Sequence, residues 1–91
     1  MDYKLYLDSR KNILLELISK NKWGGSHTHY KHMFAKIPKH CRGEKEVKKA
    51  AEDLVKEGKI IYKKTTGEEH VSLNPVYARE IKAEAYSPKK E

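Results

Sequence analysis

Four stretches of this chain repeat their apolar residues with a helical period, and one alternates like a strand. Over residues 9–21, SRKNILLELISKN, Ile13, Leu14, Leu17 and Ile18 line one stripe of a predicted helix. Asp8 or Ser9 stands where a side chain caps such a helix by accepting from free backbone N–H groups. Gly24 and Gly25 are expected to stop it, with Trp23 packing on the core from a short extended linker. Residues 28–37 predict a second, shorter helix, because Tyr30, Met33, Phe34 and Ile37 follow the i, i+3, i+4, i+7 spacing. Ser26 or Thr28 is its expected cap, and Pro38 pushes Ile37 out of helical geometry.

Residues 44–57, EKEVKKAAEDLVKE, predict a third helix with Val47, Ala50, Ala51, Leu54 and Val55 on its apolar arc and Gly58 as its C-terminal stop. Its polar positions divide into two groups. Lys45, Lys49, Lys56 and Glu52 lie opposite the apolar arc with Lys48 at the edge, while Glu46, Asp53 and Glu57 gather on a different flank. Residues 60–73, IIYKKTTGEEHVSL, predict a β-hairpin turning at TTGE, with Val71 and Leu73 alternating against His70 and Ser72. A last helix is predicted over 75–86, with Asn74 as cap, Pro75 at its first position, and Tyr77, Ile81 and Ala85 repeating every four residues. Residues 87–91 are expected to form a frayed tail.

Length and charge narrow the possibilities. At 91 residues the chain makes one domain. The net charge is +7 and it is unevenly placed: residues 26–43, SHTHYKHMFAKIPKHCRG, hold four cations and no acid, which is more than half of the excess. A localised basic patch suits a polyanionic partner. The single cysteine makes an internal disulfide framework impossible. No apolar run approaches the ~18 residues of a membrane span, and the N-terminus lacks the pattern of a signal peptide. An intracellular, cytoplasmic protein is the expectation.

Three helices followed by a hairpin, with LVKEGKIIYKKTTGEEHVSL at the junction, resemble the winged helix-turn-helix family of small archaeal and prokaryotic DNA-binding proteins. Leu54, Gly58 and Ile60 mark that junction, and HVSLNP before a charged helix is also similar. The resemblance covers residues 9–74. It implies an α+β fold: a three-helix core, a hairpin wing and a C-terminal helix. It implies double-stranded DNA as the partner and transcription regulation as the role. By position, the groove-facing residues would be Lys45, Lys48, Lys49 and Glu52. His40 and Arg42 would stand at the start of that helix, and Lys63, Lys64, Thr65 and Thr66 at the wing tip. His29, His32, Lys36 and Lys39, on an acid-free second helix and turn, would face the phosphate backbone.

Lysines facing outward meet phosphates spaced about 1.7 Å along the duplex axis and release counterions. Base reading is poorer, because the third helix has no arginine, asparagine or glutamine. Arg42 is the one good candidate, and Glu52 suits cytosine. Glu44 and Glu46 fit the helix dipole but repel phosphate. Strong phosphate binding with modest sequence preference is the expectation.

Other chemistry is thinly represented. Zinc needs about four converging N or S ligands. On a helix only His29 and His32 would share a face, and adjacent His40 and Cys41 cannot easily serve one ion, so no metal and no cofactor is assigned. No catalytic constellation is legible, since Cys41 and His40 are sequence neighbours without an orienting third group. Two other readings stay open: a protein-interaction module within a larger complex, and RNA binding with Tyr30 or Tyr62 available to stack. Tyr77, Ile81 and Ala85 make a narrow stripe that either covers the domain or joins two copies into a dimer.

Overall fold

The computed structural model describes residues 1–88, so the last three residues of the expected tail lie outside the described residues. Helix α1 runs Tyr3–Ser19, strand β1 Thr28–His29, helix α2 Lys45–Lys56, strand β2 Ile60–Thr65, strand β3 Glu68–Leu73 and helix α3 Ala78–Ala85. Single 3₁₀ turns at Tyr30–Phe34, Lys39–Cys41 and Pro75–Tyr77 connect them. The architecture is α+β: three helices against a three-stranded antiparallel sheet in the order β1-β3-β2.

Helix α1 begins six residues earlier than the apolar stripe predicts. Its cap is Asp2, whose side chain accepts from the Leu5 N–H at 3.0 Å. Ser9 is therefore not a cap but a buried residue within the helix, 1 % exposed. The first two turns escape the periodic reading because Tyr3 and Leu7 face solvent while Leu5 and Tyr6 are half-buried. The helix also ends before the glycines. Asn21 adopts φ 55°, and the Asn21 and Lys22 N–H groups bond back to the Ile18 and Leu17 carbonyls. That is the Schellman closure of a helix, with asparagine in the left-handed role glycine usually fills.

The predicted helix over 28–37 is the main correction. Thr28 and His29 are extended and pair with Val71 and His70 of β3, and the following turn is 3₁₀ rather than α. The apolar spacing still works, because a period of three serves i, i+3 contacts as well as 3.6 does. Met33 and Ile37 are buried at 0 % and 2 % exposure, with Tyr30 and Phe34 packed beside them. An extended start gives the otherwise open edge of β3 a hydrogen-bonded neighbour.

The core is shared by Ile13, Leu14 and Leu17 of α1, Val47, Ala50 and Leu54 of α2, and Ile60, Val71 and Leu73 of the sheet. At the end of α2, Gly58 takes φ 80°, and a side chain there would meet the Tyr77 ring at 3.2 Å. Half-buried Trp23 makes a lone bridge to Leu73, and the Lys82 ammonium lies 5.7 Å over its ring. Ile81 and Ala85, at 0 % and 1 % exposure, are covered within the chain, where α3 packs on α1. Of the stripe expected to cover the domain or join two copies, only Tyr77 faces outward.

Polar contacts tie the three helices together at Arg10, which is 6 % exposed. Its guanidinium donates twice to Glu57 at 2.7 Å and twice to Glu84, at 2.7 and 3.0 Å. Arg10 thereby holds the Glu57 carboxyl below its ordinary range. Burial pushes Glu84 up, but Arg10 and Lys59 outweigh it and the net direction is down. Replacing Arg10 with alanine leaves Glu57 and Glu84 with Lys59 as their one remaining cation among the described residues, at 3.4 and 3.3 Å. Since Glu57 is 40 % exposed, the expected loss is about 3 kcal/mol, at the low end for a broken buried pair; urea unfolding measures it. Folding lowers these carboxyls, so the unfolded chain binds more protons in acid. Wild-type stability therefore falls as pH drops through and below about 4, and Arg10→Ala shows a shallower dependence over that window.

Candidate nucleic-acid interface

Helix α2 carries its acids on one flank, and α1 covers that flank. The backbone N–H of Asp2 donates to Glu46 at 2.7 Å and holds its carboxyl below the ordinary range. The Tyr6 hydroxyl donates to Asp53 at 2.6 Å, which lowers Asp53, while burial and that carboxylate raise the Tyr6 hydroxyl. Arg10 holds Glu57. The face left to solvent carries Lys45, Lys48, Lys49, Glu52 and Lys56, all exposed. Lys49 is 3.2 Å from Asp53 in an i, i+4 pair; among the described residues Lys45 and Lys48 make no ion pair. Glu44, which precedes the helix without a side-chain capping bond, and Glu52 are the acids that remain exposed there.

The segment before α2 adds cations. Lys36, Lys39 and His40 are exposed, and Lys36 reaches Glu16 of α1 only at 3.7 Å. Arg42 behaves differently from the expectation that it reads a base. Its Nε donates to the Ile37 carbonyl at 2.9 Å and its Nη2 to the Ala35 carbonyl at 3.3 Å. The guanidinium thus satisfies carbonyls left open by the short 3₁₀ turns, where longer helices would have bonded their own. Beside it opens a groove of about 540 Å³ walled by Lys20, Lys22, Lys31, His32 and Arg42, with Glu16 as its acid. Sequence reasoning misses Lys20, Lys22 and Lys31 as site residues. Lys20 and Lys22 lie beyond the last periodic turn of α1, and only the fold brings them to the 28–42 segment.

The hairpin tip exposes Lys63, Lys64, Thr65 and Thr66. Its charge is balanced across the ladder, since Lys64 faces Glu69 and Thr65 faces Glu68. Between the hairpin and α2 lies a smaller groove lined by Tyr30, Ala51, Val55 and Tyr62 together with Glu52 and Glu69. Tyr62 donates to Glu69, and its ring meets Tyr30 edge-on at 6.0 Å. Tyr30 is packed against Phe34 as well, whereas Tyr62 is partly exposed, and Lys56 lines the same groove.

His29 and His32 do not share a helix face. The register places Thr28, Val71, Leu73 and Ile60 toward the core, and His29 and His70 on the opposite face of the sheet. There the rings of His27 and His29 each lie 5.0 Å from that of His70, and His32 lies 5.4 Å from His29. His29 therefore sits away from the lysine face of α2. The alternation in HTH over 27–29, read as a strand, is the signal that places His27 with His29 on one face. Among the described residues, no three His, Cys, Asp or Glu side chains are arranged as they stand to hold a metal ion, and no helix is long and apolar enough to cross a membrane.

No protein-family model, curated protein or solved structure matches the chain.

The geometry of Arg42 makes a definite prediction. Removing two charge-assisted hydrogen bonds by Arg42→Ala is expected to loosen residues 35–42 by about 1.5–3 kcal/mol, read as faster amide exchange confined to that segment. Any loss of nucleic-acid affinity then accompanies the local opening and is uniform across sequences, whereas a base reader would lose preference at one position.

Proposed function

We propose that the chain is a winged helix-turn-helix protein that binds double-stranded DNA, with α2 presented to the major groove, the hairpin to the backbone, and gene regulation as the role. The single observation that carries this reading is the segregation of charge on α2: its flanking acids are engaged by α1, which leaves Lys45, Lys48 and Lys49 outward. The order of helix, short turns, helix and hairpin supports the fold assignment. The middle helix of the resemblance is reduced here to two 3₁₀ turns, with the basic loop 36–42 leading directly into α2.

Affinity on this reading comes from phosphate. Each lysine that meets a phosphate releases condensed counterions, so binding falls linearly with salt on logarithmic axes. Base discrimination stays modest, because α2 offers no bidentate donor and Arg42 is engaged with backbone carbonyls. The basic groove at Lys20, Lys22 and Lys31 extends the cationic surface beyond α2.

The test is a mobility-shift titration of random-sequence duplex at two salt concentrations, with wild type and a Lys45/Lys48/Lys49→Ala triple variant. These side chains are exposed, so the variant is expected to fold. The expected outcome is weaker binding and a salt slope smaller by roughly two to three, about one for each phosphate no longer neutralised. Wild type with no duplex binding near physiological salt overturns the reading in favour of a protein-interaction module. Tighter binding to single-stranded RNA than to duplex favours the RNA alternative.

A further inference from the structure

Four of the chain's five histidines, separated by up to 43 residues in sequence, come together on the sheet face away from α2. His27 and His29 stand two apart on an extended segment, which puts both on one side, and His70 is the cross-strand partner of His29. His70 is the middle ring, 5.0 Å from each of the other two. Its Nε2 lies 3.0 Å from Glu68 Oε2. A carboxylate only accepts, so in the neutral ring Nε2 carries the proton and Nδ1 the lone pair. That Nδ1 is buried and has no hydrogen-bond partner among the described residues. The His27 and His29 rings are the imidazoles nearest to that ring.

We propose that His27, His29 and His70 form a binding site for a divalent transition metal, with His32 or water as the fourth ligand. Borderline cations such as Zn²⁺, Co²⁺ and Ni²⁺ fit, because imidazole suits them while Ca²⁺ and Mg²⁺ require oxygen donors. The ring spacing agrees with the chemistry. A metal–nitrogen bond of about 2.0–2.1 Å sets two imidazoles of a tetrahedral ion with ring centres roughly 5 Å apart. The nitrogens do not converge as the rings stand. His27 is exposed and His29 half-buried, and the proposed site requires both rings to turn toward His70 Nδ1. Glu68 acts through His70: it fixes the tautomer and makes the ring a better donor, as carboxylates do for metal-bound histidines. The ion would fasten the short strand β1 to β3. The proposal does not rest on the reading of α2, since none of its ligands lies on that helix; His70 belongs to the hairpin and His32 to the wall of the basic groove.

The full metal-free chain is titrated with Zn²⁺ by calorimetry at neutral pH, and with Co²⁺ followed by its visible absorption. One equivalent is expected to bind, and more weakly as the pH falls, because protons compete for the ligand nitrogens. His70→Ala and His29→Gln each weaken binding at least 100-fold, whereas Glu68→Ala weakens it by roughly tenfold, the low end for a group acting through a ligand. His40→Ala, which alters the fifth histidine outside the cluster, leaves affinity unchanged. Circular dichroism checks the fold of every variant, and His29→Gln carries the test if His70→Ala unfolds. Absence of saturable one-equivalent binding overturns the proposal. So does binding that survives both His70→Ala and His29→Gln undiminished. No nucleic acid is present in the experiment, so its failure is independent of the reading of α2.

Discussion

The surface of α2 is set by what α1 does to its acids. Asp2, Tyr6 and Arg10 stand along one side of α1 and engage Glu46, Asp53 and Glu57 in turn. These three contacts fix the rotation of α2 about its axis while Val47, Ala50 and Leu54 fill the core beneath. A helix that carries both acids and lysines thereby becomes asymmetric, with Glu46 and Asp53 turned toward α1 and its lysines turned out. Arg10 extends the same constraint to α3 through Glu84, so one guanidinium orients the helix that carries the proposed interface and the helix that closes the domain.

The sheet does a different job. The extended segment at Thr28–His29 completes a third strand and draws the chain between α1 and α2 along the β3 edge of the hairpin. That path leaves room for only short 3₁₀ turns before α2. Their unmet carbonyls explain why the one arginine of the basic segment is directed inward rather than left for a base. It also carries His29 onto the sheet, away from Lys36, Lys39 and His40, while His32 stays beside the lysines of the basic groove. The basic stretch that reads as one patch in the sequence divides into a cationic loop leading to α2 and an imidazole cluster on the far side of the sheet.

Much of the fold is legible in the residues, and the departures have physical causes. Helix α2 and the hairpin follow from strong periodicity and turn chemistry, and the structure agrees with them; Asn74 caps and Pro75 opens a 3₁₀ turn, so the last helix starts at Ala78, three residues later than predicted. Periodicity places the start of the first helix too late, because its opening turns are only partly buried and its cap is the second residue. It makes an α-helix of the 28–37 segment, because contacts at i, i+3 suit a 3₁₀ turn equally well. That mistaken period hides the pairing of His27 with His29, and no local pattern announces that β3 adds His70. The exposed lysines of α2 are legible from the helical wheel. The engagement of Arg42 is not, because it depends on carbonyls that a regular helix would have satisfied.

If nucleic acid meets the lysine face of α2 and the hairpin tip, the backbone amide resonances will report it while random-sequence duplex is titrated in. The largest shifts are then expected within residues 36–52 and 63–66, with the outer sheet face at His27, His29 and His70 little changed. Shifts centred on the outer sheet face or on α3, with residues 44–52 unmoved, would place the interface elsewhere and refute the role given to α2.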